Sequence, residues 1–536
     1  MSGQTGVLTG TWPLPRLSLR RDRLSLPAWL VGLGGLIVAS ATAVPAVYDT
    51  PEKIAGYARS VGSSPVSYLM SGRQAGLDTL GGVVANEISQ VAQLGVALMV
   101  AFLVVRHTRA EEESGRAELL RSTALGRHSA AVVAIVLAST AAVLLGAVTT
   151  LAMLAVEVDA VGALTYGTGL ALQGAVYAAV ALLVAQLASS ARGALGLAGA
   201  AVGVGYLVRG LGALQDTALV WSSPFGWAQG LDAFGRERWW PALLLVGATA
   251  GLLALAGWLT AHRDHGGGLL AARPGPERAA DRLGSPLGLA LRAQRGLLLG
   301  WGAGLATLGL LYGAVLPTLP DLVASNPEIA DVFGGAAGAE QALVLAFLRY
   351  VHVFLALLVA AAAVASALRL RAEEESGRLE LLLATPARRP QVLLAAVTVA
   401  ALAVVVLSAL AGLGLGVGEL AATPGAGVAD LGTRVVDQLA YGPAAAVLAG
   451  LAVAVVGLQP RWSVLAWAAL ALVGTQVLLG ETLRLPDSVS AASPFEHLPG
   501  LPVEPFTVAP GAVELGVAAA LVVLGLVGLR RRDVGG

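Results

Sequence analysis

The charged side chains of this chain fall at spacings that suggest docking rather than catalysis. The octapeptide RAEEESGR occurs at 109–116 and again at 371–378, in a sequence dominated by Ala, Leu, Val and Gly. Read as a helix, Arg109 lies four residues before Glu113 and Glu112 four before Arg116, spacings at which ion pairs form. Glu118, Leu119 and Leu120 continue the turn, so a short amphipathic helix is expected, leucines toward a membrane and carboxylates toward water. The second copy repeats the pattern with Arg371, Glu375, Glu374, Arg378, Glu380, Leu381 and Leu382. A metal site is disfavoured, because three consecutive glutamates point around a helix instead of converging. A charged flank that merely ends a membrane span is the plain alternative, but near-identity of two copies favours a partner that constrains both.

A second group lies inside apolar runs, where ionisable side chains are costly and are functional suspects by default. At the offset that superimposes the octapeptides, Glu87 aligns with Arg349 and Gln90 with His352. These four are expected to form an outer gate on a translocation path, with Glu87 and Arg349 as a candidate pair; independent snorkelling of each to water is the alternative. Asp437 and Arg209 are weaker suspects of the same kind.

Several chemistries are disfavoured. The only lysine is Lys53, in DTPEKIAG, with no glycine-rich loop before it, so a Walker A phosphate loop is ruled out. No HExxH motif, no histidine pair at ligand spacing within a span and no nucleophile–base pair stands out, so neither catalytic residues nor a metal site is expected. Cysteine is absent, which excludes disulfides and thiolate metal sites. Nothing suggests nucleic-acid binding.

The elements that must position these residues are membrane helices. The 536 residues are 56% hydrophobic and 13% charged, with a mean hydropathy of +0.76, the composition of an integral membrane protein. Apolar runs at 27–48, 85–105, 129–156, 163–189, 193–214, 239–261, 296–317, 341–368, 391–416, 434–457, 462–480 and 512–529 are each long enough to span a bilayer. With the N-terminus inside, 25 of the 34 Lys and Arg fall in or beside cytoplasmic segments, which supports an even span count with both termini cytoplasmic. Residues 27–48 are expected to be retained as an anchor, since the run exceeds an ordinary signal-peptide core and four arginines precede it.

The chain is internally duplicated. RAEEESGRAELLRSTALGRH and RAEEESGRLELLLATPARRP share 13 of 20 positions at an offset of 262. LSLRRDRLSLPAW at 17–29 echoes LALRAQRGLLLGW at 289–301, and SPF-x4-GL at 223–231 recurs at 493–501. The expected fold is all-α and polytopic: twelve transmembrane helices as two tandem six-helix repeats with pseudo-two-fold symmetry. The expected organisation is a disordered N-terminus at 1–15, a first six-helix half at 16–261, a cytoplasmic linker at 262–287 and a second half at 288–536. Gly199-x-x-x-Gly203 and Gly309-x-x-x-Gly313 are expected helix-packing sites.

With RAEEESGR-x-ELL in both halves, the chain resembles the permease subunits of ABC-2 (type V) exporters, specifically the fused tetronasin-type polyketide-antibiotic exporters of actinobacteria. The resemblance implies that the loop after the second span of each half is a coupling helix docking an ATPase, here at 109–121 and 371–383. The residues it carries over are Arg109, Glu111, Glu112, Glu113, Ser114, Gly115, Arg116 and Glu118, and Arg371, Glu373, Glu374, Glu375, Ser376, Gly377, Arg378 and Glu380. It further implies connecting helices at 16–26 and 288–299, segments dipping back into the membrane at 215–238 and 484–511, and a bacterial plasma-membrane location. The implied function is ATP-driven export of hydrophobic or amphipathic small molecules. Two copies of a separate ABC ATP-binding subunit would hold the ATP and magnesium, and no cofactor is expected in this chain. The competing reading is a proton-coupled twelve-helix secondary drug transporter, against which stand the few acidic residues deep in the spans.

Overall fold

A computed structural model describes residues 14–62, 64–115, 126–262, 277–320, 336–423, 425–483 and 491–532. Arg116, Glu118 and Arg121 of the first octapeptide region, most of the expected linker, part of the second dipping segment and residues 1–13 lie outside the described residues. The chain separates into two compact units, Met1–Gly275 and Pro276–Gly536.

Every regular element among the described residues is helical. The first unit contains α1 (Leu14–Arg21), α2 (Ser25–Val47), α3 (Pro51–Val61), α4 (Pro65–Met70), α5 (Leu80–His107), α6 (Arg109–Glu113), α7 (Ser129–Ala155), α8 (Ala160–Leu187), α9 (Ala191–Gln215), α10 (Pro224–Gln229) and α11 (Trp240–His262). The second contains α12 (Pro286–Gly313), α13 (Ala336–Ala367), α14 (Arg369–Glu375), α15 (Arg378–Leu383), α16 (Arg389–Ala422), α17 (Val428–Ala440), α18 (Gly442–Leu458), α19 (Val464–Leu483) and α20 (Val508–Arg531). Many starts are set by side-chain caps that take up otherwise unpaired amides: Thr79 accepts from Gly82 N, Asp159 from Gly162 N, Ser190 from Gly193 N and Ser285 from Gly288 N.

Eleven helices among the described residues are long and apolar enough to cross a membrane, six in the first unit and five in the second. Many of their large apolar side chains are uncovered, Leu243 at 74% and Leu299 at 72% among them, as lipid-facing surfaces require. The protein is therefore a multi-pass membrane protein. The run expected at 462–480 is helical, as α19, but is not one of the eleven. The span expected at 434–457 is two helices, broken at Tyr441, the residue before the Gly442–Pro443 start of α18. Within 16–26, expected as a connecting helix, the structure has the end of α1, a turn at Asp22 and the start of α2, whereas 288–299 is continuous with the span in α12.

In the first unit α5 is the central helix; Ile88, Val96, Met99 and Leu103 are fully buried against Ile37 of α2, Leu145 and Met153 of α7 and partners from α8. In the second, α12 and α16 interlock. A Cβ on Gly309 or Gly313 would lie 2.3 and 2.0 Å from the carbonyl oxygens of Ala411 and Leu415; one on Gly414 or Gly418 would lie 2.1 Å from those of Ala306 and Leu310. Only glycine permits that approach, and packing is what holds membrane helices together once both are in lipid. The parallel expectation for Gly199 and Gly203 is not met among the described residues, since a Cβ added at either would have no neighbouring helix within 4 Å.

Candidate functional site: the duplicated cytoplasmic loop

The octapeptide is bent. In each copy a short helix, α6 or α14, ends at Ser-Gly, and the glycine takes a left-handed conformation, with φ of +73° at Gly115 and +71° at Gly377. An L-residue there would place Cβ against the following carbonyl, so the bend favours glycine. In the second copy α15 restarts one residue later and buries Leu379 while leaving Leu381 73% exposed. In the second copy the expected single amphipathic helix is thus two short helices around a glycine hinge.

The ion pairs also differ from those the spacing suggests. Arg109, itself buried, donates from Nη1 to Glu112 at 2.7 Å, not to Glu113, and from Nη2 to the Ser189 carbonyl at 2.7 Å. Glu113 accepts from Ala191 N at 2.8 Å, placing its charge at the N-terminus of α9, where the helix dipole favours it. Glu111 pairs with Arg21. In the second copy Arg371 does pair with Glu375 as expected, at 2.7 Å, and its Nη1 donates to the Pro460 carbonyl at 2.5 Å and to Ser463. Glu374 is held by both terminal nitrogens of Arg532, at 2.5 and 2.7 Å, instead of by Arg378; Arg378 pairs with Glu373, which also accepts from Arg369 at 3.1 Å. Most of the carboxylates turn inward and are not free toward water, because each finds a fixed donor within its own half.

One arrangement is common to both copies. The first arginine of the octapeptide reaches a backbone carbonyl in the break after α8 in one half and after α18 in the other. The loop that follows α5 or α13 is thereby tied to the break between the next-but-one helix and its successor. Glu113, Ser114, Glu375, Ser376, Arg378 and Glu380 remain exposed.

Residues not singled out by the sequence complete the site. Asp22, fully buried, accepts from Arg106 Nε at 2.7 Å and from Ser25 at 3.2 Å and pairs with His107, joining the α1–α2 turn to the end of α5. Burial opposes its charge, but the hydrogen bond and charge of His107 and the charge of Arg106 hold its carboxyl below the usual range. The corresponding residue in the second half is Gln294, which accepts from Ser366 at 2.6 Å. Arg532 was visible only as one of three terminal arginines.

Beside the second copy, residues 283–289 and 382–398 line a groove of about 760 Å³ made largely of Leu, Pro and Ala, with Ser285, Thr385, Gln391 and Thr398 as its polar side chains.

At the other end of α5, Glu87 is exposed and accepts from the Tyr57 hydroxyl at 2.5 Å, which in turn accepts from Asn86 at 2.7 Å. Burial and the Glu87 charge push the Tyr57 phenol up, so it stays a donor at every physiological pH. Gln90 is half-buried. In the second unit Arg349 is exposed and lies against Gly500, whereas His352 is fully buried and bonded to Gln438. The repeated SPF segments both bury their phenylalanine: Phe225 packs between Tyr177 and Tyr206, at centroid distances of 5.0 and 5.5 Å, and Phe495 is 6% exposed.

Residues 283–530 match the family described as "Multidrug efflux system permease Rv1217c, C-terminal domain". The full chain is similar to "Multidrug efflux system permease protein Rv1217c" of Mycobacterium tuberculosis (strain ATCC 25618 / H37Rv), with 36% identity over 537 residues, covering 98% of this chain and 95% of that protein.

Proposed function

The chain belongs to the family of multidrug efflux system permeases, and from that premise we propose that it is the membrane subunit of an ATP-driven ABC-2 exporter of hydrophobic or amphipathic small molecules, such as polyketide antibiotics. The observation that carries this reading is the duplicated octapeptide, bent at Gly115 and Gly377 and tied by Arg109 and Arg371 to a second loop of its own half. A loop held at two points moves as one body with the helices it joins. Force applied to α6 would reach α5, α8 and α9 together, and force on α14 would reach α13, α18 and α19, as coupling to a motor requires. This chain has no Walker A lysine, so the motor would be a separate ATP-binding subunit, present twice, with ATP and magnesium bound there.

The groove at 283–289 and 382–398 lies within the size range of drug-like sites and suits an amphipathic molecule taken from the inner leaflet. Both termini would then be cytoplasmic, the two halves would be six-helix repeats, and Glu87, Gln90, Arg349 and His352 would line the exit side of each half's second span.

Co-purification tests the reading. Reversing the exposed charge Glu380 should release the ATPase subunit without lowering the melting temperature. Drug export driven by a proton gradient through this chain alone, with no ATPase present, would refute it.

A further inference from the structure

A buried polar cluster in the second half is one hydrogen short. His352 of α13 is fully buried, and its ring accepts no hydrogen bond. Its Nδ1 lies 2.9 Å from Gln438 Oε1, and the Gln438 amide nitrogen lies 3.2 Å from the His352 carbonyl. The amide can donate only from nitrogen, so its oxygen must accept, and Nδ1 must therefore carry the ring proton. The lone pair of Nε2 is then left facing Asp437 Oδ2 of α17, 4.0 Å away, and neither atom has a hydrogen-bond partner. Two acceptors facing one another in a buried site repel unless a proton is placed between them.

The surrounding charge points the same way. Arg434 is bound to both oxygens of Glu419, at 2.7 and 2.9 Å, and lies 3.7 Å from Asp437, so with His352 neutral two carboxylates face one cation. The other ionisable groups near the site are Arg349 on the same helix, Tyr441 at the start of α18 and Glu504 of the loop before α20, whose carboxylate accepts from Gly500 N. On α12 it is Tyr312, level with Phe347 and Phe354 of α13, while Arg292 and Arg295 lie at the opposite end of that helix. On α19, Gln476 is turned to Glu496.

We propose that His352 and Asp437 form a proton-binding site, and that its occupancy sets the rate of transport. A proton taken up at Nε2 converts the facing acceptors into an imidazolium–carboxylate hydrogen bond and balances the cluster's charge. Closing the gap to the ~2.8 Å of such a bond draws α13 and α17 together by about 1 Å. Helix α13 and the start of α14 lead within about 19 residues, roughly 28 Å of helix, to the octapeptide. Gln90, at the aligned position of the first half, cannot take up a proton, so the duplicated position is titratable in one half alone.

The transport part rests on the efflux reading; the binding part is measured on the chain itself. In the full chain labelled with 15N-histidine in lipid nanodiscs, the His352 signal is assigned by its loss in His352→Gln. It should titrate at Nε2 between about pH 3 and 7, the range over which a buried imidazole facing a carboxylate takes up its proton. Asp437→Asn should lower the midpoint by about one pH unit or more, and Asp437→Glu should restore most of it. A His352 signal that does not titrate in that range, or an unchanged midpoint in Asp437→Asn, overturns the site. Efflux by the wild type should follow a sigmoid centred on the same midpoint and lose it in His352→Gln; an unaltered profile in that variant overturns the link to transport, whatever drives it.

Discussion

At the scale of single residues, the arginines that open the two octapeptides matter for what they hold, and this can be measured. Arg109 is buried with its charge on Glu112 and its second nitrogen on a backbone carbonyl, so Arg109→Ala strands both partners. The expected loss is about 3 kcal/mol, read from thermal unfolding in nanodiscs; a loss below about 1 kcal/mol would mark the contact as incidental. Tyr57→Phe removes the donor to Glu87 and the acceptor for Asn86, with an expected cost of about 1–3 kcal/mol by the same measurement. Asp22 offers a test in pH. Its folded-state carboxyl sits below the ordinary value near 4, so its contribution is present above that value and is lost as pH falls through the lowered one. Asp22→Asn should lower stability at neutral pH and flatten the decline seen on acidification, and a parallel decline in both proteins would refute the assignment.

At the scale of elements, two features control how helices meet. The interlocked glycines of α12 and α16 leave no room for any side chain, so Gly414→Leu must push the helices apart; we expect loss of folded protein on size-exclusion chromatography, with Gly199→Leu tolerated as the control. The glycine hinge of the octapeptide is open around its Cβ position, so its cost is conformational alone. Gly377→Ala should therefore cost about 1 kcal/mol, while asparagine, which tolerates the left-handed region, should cost less. The same hinge explains one of the misassigned ion pairs, since Glu374 and Arg378 lie on either side of Gly377 and four-residue spacing predicts contacts only along an unbroken helix. Arg109 and Glu113 both precede Gly115, and there it is the Ala191 amide that takes Glu113 away, while Arg371 and Glu375 keep the expected pair.

At the scale of the whole molecule, the second octapeptide is joined to the end of the chain. Arg532 binds Glu374 and also the Gly457 carbonyl at 3.1 Å, and its own carbonyl accepts from Arg389 at 2.8 Å, so the ends of α14, α16, α18 and α20 meet at one residue. Arg532→Glu should weaken both stability and drug efflux. The double variant with Glu374→Arg should recover part of each, and no recovery would mean the pair does not act as a unit. Among the described residues no contact of this kind joins α11 to the first copy.

Much of this architecture could be read from residues in order. Runs of about 20 apolar residues need lipid or a large core whatever their context, and a charged word repeated at a constant offset implies duplication without any structure. The positions of Glu87, His352 and both octapeptides follow from the chain alone for the same reason. Which carboxylate binds which arginine did not, because Ser189, Pro460 and Arg532 are brought to the octapeptides by helix packing at separations of 80 residues or more. The breaks at Gly115, Gly377 and Tyr441, and the facing acceptors of His352 and Asp437, likewise exist only in three dimensions. Local pattern determined that these helices would form and where their charges would lie along them; the direction each charge faces was decided by the neighbouring helix.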